Sequence, residues 1–142
     1  MNNQDCIFCK IVAGDIPCFK IYETENILSF LDIGPVNKGH ALVIPKKHYK
    51  NIWDFPADLG TEIITATQVV GDAIVKTTKA DGMNILMNNN AAAGQLVFHA
   101  HFHLIPRFEN DGFKLWDQSE YGSMDEALAL AQKIEKMIKS VN

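Results

Sequence analysis

The chain has 142 residues, 47% hydrophobic and 21% charged, the profile of a globular protein long enough to bury a core. Its formal net charge is −4 and Arg107 is its only arginine, so the composition lacks the basic face of a nucleic-acid binder. No stretch reaches the roughly 18 apolar residues of a membrane span, the polar start MNNQDCIFCK has no signal-peptide core, and three cysteines, an odd number, argue against a disulfide framework. A cytoplasmic, reducing setting is the expectation.

In chain order, DCIFCKIVAGDIP reads as a short helical turn stopped by Gly14 and Pro17. FKIYET and NILSFLDI are two β-rich runs that separate at about Glu25-Asn26 and suit a hairpin. HALVIPKKH is a third strand ending near Pro45. From Pro56 to about Lys79 the period changes: Leu59, Ile63, Ala66, Val70 and Ile74 form the stripe of an amphipathic helix, with Pro56 expected in its first turn. MNILMNN and LVFHAHFHLI are two further strands, joined through the small residues of NAAAG. A second helix is expected over about 123–140, where Ser123 and Glu126 have capping-box spacing, Ala127, Leu130, Ala131, Ile134 and Ile138 supply an apolar face, and Glu135 and Lys139 stand at i,i+4. Short adjacent strands with segregated helices predict an α+β fold with a mostly antiparallel sheet.

The run GQLVFHAHFHLIPRF carries three of the chain's five histidines, His99, His101 and His103, at alternate positions. On a strand such residues share a face and lie roughly 6.5–7 Å apart, which would turn Ala100, Phe102 and Leu104 into the core. A solvated strand face does not favour histidine, so two chemistries stay open, metal ligation and imidazole catalysis. Three in a row reach one ion at about 2.1 Å only with strain, although two could. One nucleophile or base with neighbours that orient it suits the row better. The amides of Asn88, Asn89, Asn90 and Gln95 add donors for anionic oxygens without adding charge. Cys6 and Cys9 form C-x-x-C, which by itself fits a metal pair, a redox pair or two unrelated thiols; no strand precedes it, against a thioredoxin-like role.

HAHFHLI, together with CIFCKIVAGDIP, FLDIGPVNKGHALVIPKKH, MNN seven residues ahead of GQ, and HLIPR, all in that order, resembles the histidine triad (HIT) family of nucleotide hydrolases and transferases over residues 5 to about 108. The resemblance implies a HIT-like fold with a five-stranded sheet, one long central helix and a C-terminal helix, forming a single domain over residues 1–142. RFENDGF and the closing helix look like bacterial members. It further implies that His101 is a nucleophile attacking the α-phosphorus of a purine nucleotide derivative, forming a nucleotidyl-histidine that water resolves. His103 would donate where leaving-group charge develops, with Gln95 and Asn88 at the phosphate and leaving group. Asp32 would accept the ribose hydroxyls, its alternative being a surface turn before Gly34-Pro35. Phe8, Phe30 and Ile33 would wall the base, or serve as ordinary core. His40 matches a position near the active site, its alternative a strand-start histidine.

Bacterial members, and the related galactose-1-phosphate uridylyltransferases, pair such cysteines with two histidines around zinc. The matching set is Cys6, Cys9, His48 and His99, a complete tetrahedral donor set and therefore a structural zinc. Cys18 is left as a small hydrophobe. Family resemblance also implies a homodimer that extends the sheet across two subunits.

One departure bears on the substrate: Leu96 stands where phosphoramidases and dinucleoside-polyphosphate hydrolases of the family usually have a hydroxyl. HLIPR leans toward the dinucleotide branch and the overall segment order toward the phosphoramidase branch. The alternatives to a hydrolase are a zinc-stabilised nucleotide-binding interaction module and a nucleotidyltransferase. His103 counts against the latter, since the related uridylyltransferases have glutamine there.

Overall fold

A computed structural model describes residues 5–141. They divide after Asp111 into two compact units. In the first, α1 (Ile7–Ala13) precedes the strands β1 (Lys20–Glu23), β2 (Ile27–Leu31) and β3 (Ala41–Pro45); then come α2 (Leu59–Thr78), β4 (Gly82–Leu86) and β5 (Phe102–Arg107). The strands form one antiparallel sheet in the order β1-β2-β3-β5-β4. This is the α+β, five-stranded architecture expected. The second unit is built on α3 (Met124–Val141), where Ser123 Oγ accepts from Glu126 N–H. The glutamate returns to Gly122 N–H rather than to Ser123 itself, and Lys139 pairs with Glu135. No helix of the described residues is long and apolar enough to cross a membrane.

The sheet is buried on both faces at its centre, because alternate residues of β2 and β3 feed two separate clusters. Ile27, Ala41, Val43 and Leu104 pack on one face against Ile63, Ala66, Val70 and Ile74 of α2, the stripe read from the sequence. Leu28, Phe30, Leu42 and Ile44 pack on the other with Phe8 of α1. Residues directly opposite on neighbouring strands share a face, so the pairs Phe30↔Leu42 and Leu42↔His103 put His103 on the α1 side, away from α2.

Local chemistry explains the connections. Thr24 closes the first hairpin: its N–H reaches Ile27 O at 2.9 Å, and its Oγ1 accepts from Ile27 N–H at 3.0 Å. α1 stops at Gly14, whose left-handed φ of 84° lets its N–H return to Ile11 O. α2 begins three residues later than expected. Asp58 caps it by accepting from Leu59 N–H, while Pro56 lies ahead of the helix and supplies a carbonyl to the same N–H. β5 is also shorter than the sequence suggested. It starts at Phe102, because Ala100 N–H bonds to Tyr49 O at 2.6 Å instead of joining the ladder. His99 and His101 therefore lie on an irregular segment, and only His103 is on a strand. Phe102 is half-buried, while Ala100 and Leu104 are fully enclosed.

Ile63, 1% exposed, is the α2 anchor on its face of the sheet. Ile63→Ala should lower unfolding free energy by about 2–5 kcal/mol in denaturant titration with an unchanged slope. A loss under about 1 kcal/mol would mean that this contact does not hold the helix to the sheet.

Candidate active site

Two thiols and two imidazoles meet beneath the sheet's α1 face. Cys6 is the N-cap of α1 and Cys9 lies three residues on, so both side chains leave the same side of the helix's first turn. His48 follows β3 and His99 precedes β5. Cys9 Sγ lies 3.3 Å from His48 Nδ1 and 3.6 Å from His99 Nδ1, and Cys6 Sγ lies 3.5 Å from His99 Nδ1. All four donor atoms fall within 4.8 Å of one another. Bonds of about 2.3 Å to sulfur and 2.0–2.1 Å to nitrogen in a tetrahedron would separate the ligand atoms by about 3.3–3.8 Å, so the set fits zinc as it stands.

The electrostatics agree. Burial, then the neighbouring Cys6, pushes the Cys9 thiol up to about 11 without a cation, and a divalent ion among the sulfurs would reverse that. His99 Nε2–H donates to Pro45 O at 2.8 Å, which leaves Nδ1 as the lone pair facing the sulfurs.

The next histidine along is fixed by the backbone of the previous one. The carbonyl of His99 can only accept, so the 2.6 Å contact assigns the proton of His101 to Nδ1 and leaves Nε2 with its lone pair. Phe8 stands edge-on to this ring at 5.2 Å between centroids, and His103 at 4.8 Å. Val36 N–H points at His40 Nδ1 at 3.3 Å, so His40 carries its proton on Nε2 and donates to His103 Nδ1 at 3.0 Å. His103 is then protonated on Nε2. Burial is the largest influence on all of these rings and favours the neutral form: it lowers His40 and His101 from their ordinary value and takes His99 and His103 down to about 4.

His101 and His103 line a cavity of about 530 Å³. Phe8, Phe30, Asp32, Ile33 and Asn88 line it too, so seven of the expected functional residues share one wall. Phe8 and Phe30 are both core and wall, an edge-to-face pair at 5.7 Å. Ile33 stands on the rim, 88% exposed. Asp32 Oδ1 accepts from Gly34 N–H, and its Oδ2 lies 3.8 Å from His40 Nε2.

Gln95 is placed differently. It is 2% exposed and its amide braces the loop, with Nε2 donating to Lys50 O and Val97 O while Oε1 accepts from Asn90 N–H. Wall residues such as Phe19 and Cys18 carry no functional signal of their own in the sequence. Leu96 stands out there only as a departure, yet it is 90% exposed at the cavity edge. Among the described lining residues there is no lysine or arginine, and Asp32 brings the only carboxylate.

A profile of the HIT domain matches residues 13–110. The adenosine 5′-monophosphoramidase hnt1 of Schizosaccharomyces pombe is 43% identical over 137 residues, 96% of this chain and 100% of its own length. The adenylylsulfatase HINT3 of Arabidopsis thaliana is 46% identical over 108 residues, 76% of this chain; the match spans 55% of that longer protein. Among solved structures, a Streptococcus mutans protein superposes with a TM-score of 0.90 at 46% identity, covering 97% of this chain and 87% of that one. A zinc-bound histidine triad family protein from Mycobacterium smegmatis superposes with a TM-score of 0.67 at 36% identity, covering 99% and 100%. The chain belongs to the HIT family.

The depressed histidines give the fold an acid limit. In the unfolded chain they titrate near 6.5, whereas His99 and His103 do so near 4 in the folded one. Between those values the unfolded state binds more protons, so stability rises with pH and is lost as pH falls through the window. For fully buried His99 the loss is of order 3 kcal/mol. Thermal unfolding of the metal-free chain should therefore fall steadily from pH 6.5 toward pH 4. His103→Gln should flatten the slope, and an unchanged slope would mean that His103 does not enter this window.

Proposed function

We propose that the protein hydrolyses a purine nucleoside phosphoramidate at its α-phosphorus and releases the nucleoside monophosphate. The reading is carried by the state of the His101 ring, whose Nδ1–H is held by His99 O at 2.6 Å while the ring lines the cavity with Nε2 available. Nε2 attacks phosphorus and the phosphorus–nitrogen bond breaks with its electron pair on nitrogen; His103 Nε2–H hydrogen-bonds to that nitrogen, which leaves as the amine with a proton from solvent. Water then attacks the nucleotidyl-histidine, its proton going to solvent and the lone pair returning to His101. Asp32 accepts from the ribose hydroxyls, Phe8, Phe30 and Ile33 wall the base, and Asn88 donates to the phosphate, with Gln95 holding the loop that presents it.

The cavity favours the phosphoramidate branch. A dinucleoside polyphosphate carries several negative charges, and the described wall offers no cationic side chain to meet them, only a carboxylate and neutral imidazoles. A phosphoramidate carries about one. The S. pombe relative, named for adenosine 5′-monophosphoramidase activity, supports the same choice. A single HIT domain over residues 1–142 and a homodimer that extends the sheet belong to this reading through the family resemblance.

Zinc held by Cys6, Cys9, His48 and His99 is the structural part of the proposal. It would supply no chemistry to the substrate; it would tie α1 to the segment carrying His101. Metal analysis should find zinc at about one per chain. Chelation, or Cys9→Ser, should lower thermal stability, and an unchanged melting temperature on full removal would refute the structural role.

Side-by-side assay of wild type and His101→Ala on an adenosine phosphoramidate and a dinucleoside polyphosphate tests the activity. AMP release should favour the phosphoramidate and drop roughly 10³-fold or more in the variant. AMP bound tightly by a wild type that turns over neither substrate would replace the hydrolase with a nucleotide-binding module.

A further inference from the structure

A second group of donors lies on the cavity side of the sheet, apart from the cysteines. Asp32, His40 and His103 each offer one ligand atom, and the three atoms lie within 4.8 Å of one another. His40 Nε2 is 3.0 Å from His103 Nδ1 and 3.8 Å from Asp32 Oδ2. Nitrogen and oxygen ligands at about 2.0–2.2 Å from a tetrahedral ion would stand about 3.3–3.5 Å apart, between these two distances. The donors come from three elements: the turn after β2, the residue before β3, and β5. Backbone bonds hold them, Asp32 N–H to His40 O at 2.9 Å and His40 N–H to Asn37 O at 2.9 Å. The His40 side chain is 4% exposed and that of Asp32 22%, so little ordering is left to do.

We infer that Asp32, His40 and His103 form an exchangeable site for a divalent transition-metal ion, and that its occupation excludes the nucleotide. Two imidazoles and a carboxylate are donors for zinc, cobalt, nickel or copper rather than for magnesium or calcium. Asp32 and His103 both line the cavity, so the ion's remaining position opens onto it. Three protein ligands and one open position hold an ion less completely than the closed cysteine-histidine set, hence exchange. On binding, His40 shifts its proton from Nε2 to Nδ1 and gives up the long contact from Val36 N–H, while His103 keeps its proton on Nε2. The ion then occupies the carboxylate assigned to the ribose, on the nucleotide's side of His103 Nδ1, while the Nε2–H of His103 stays in place. The exclusion part rests on that reading of the cavity; the metal site does not.

Cobalt(II) titration of the metal-free full-length chain under anaerobic conditions separates the sites. The first equivalent should bring thiolate-to-metal charge transfer in the near ultraviolet. A further equivalent should add visible bands without more charge transfer, because its donors carry no sulfur. Asp32→Asn and His40→Gln should each keep the first signal, showing an intact fold, and lose the second. AMP should erase the second signal alone. In assays of zinc-loaded protein, free zinc at about ten times its dissociation constant should raise the apparent KM about tenfold and leave kcat unchanged. A wild type that stops at one equivalent, or a second signal that survives in both variants, overturns the site. AMP that binds calorimetrically to the singly loaded protein yet fails to displace the second ion overturns the exclusion. Absence of AMP binding to the singly loaded protein overturns the nucleotide reading of the cavity and the exclusion with it, while the metal site stands or falls on the second cobalt equivalent.

Discussion

The carbonyl oxygen of His99 is the hinge of the site. It accepts from His101 Nδ1–H at 2.6 Å, and the imidazole of the same residue faces Cys6 and Cys9 while its other nitrogen holds Pro45 O. One residue thus joins the thiol pair of α1, the end of β3 and the ring that offers a lone pair to the cavity. Each bond also fixes a tautomer, because a carbonyl cannot donate. A set of rings that could otherwise flip between two protonation patterns has one pattern imposed from the backbone outward.

That arrangement depends on a sheet with no free central face. α2 closes one side through Ile63, Ala66, Val70 and Ile74, so α1 and the cavity must use the other. The pairing of Leu42 with His103 decides which side the last histidine meets. A one-residue slip of β5 would turn it into the α2 core. Desolvation by the same packing keeps the rings neutral near pH 7, the form in which imidazole acts as nucleophile or ligand.

Much of this was legible in the sequence, for identifiable reasons. The α2 stripe follows from a long 3.6-residue period, and β2 and β3 from short apolar runs between turn residues. The alternating histidines were informative for a reason that partly failed: only His103 lies on a strand, and the shared location of the three comes from hydrogen bonds to Tyr49 O and His99 O that no periodicity encodes. Helix and strand starts differ from the sequence periodicity where side chains or distant carbonyls intervene, as with Asp58 at α2 and Tyr49 at β5. Gln95 shows the limit most clearly. Its residue type suits a phosphate contact, and only the loop's own carbonyls and N–H groups reveal that its amide is already committed. Phe19 and Leu96 were invisible as wall residues because exposed apolar side chains carry no period.

The strand order has a consequence for how the chain acquires its shape. β5 is made last among the strands yet sits between β3 and β4, and β4 pairs with nothing else in the sheet. A ribosome-bound chain can assemble β1, β2, β3 and α2 early, since these are neighbours in sequence. β4 must wait, its ladder groups unmatched, until Phe102–Arg107 arrives and threads the gap. The contacts from Cys6 and Cys9 to His99, 93 and 90 residues away, close at that same late moment. The His99–His101 segment is thus among the last parts to take its place, and a partly made chain holds the sheet's framework without the assembled cluster of histidines.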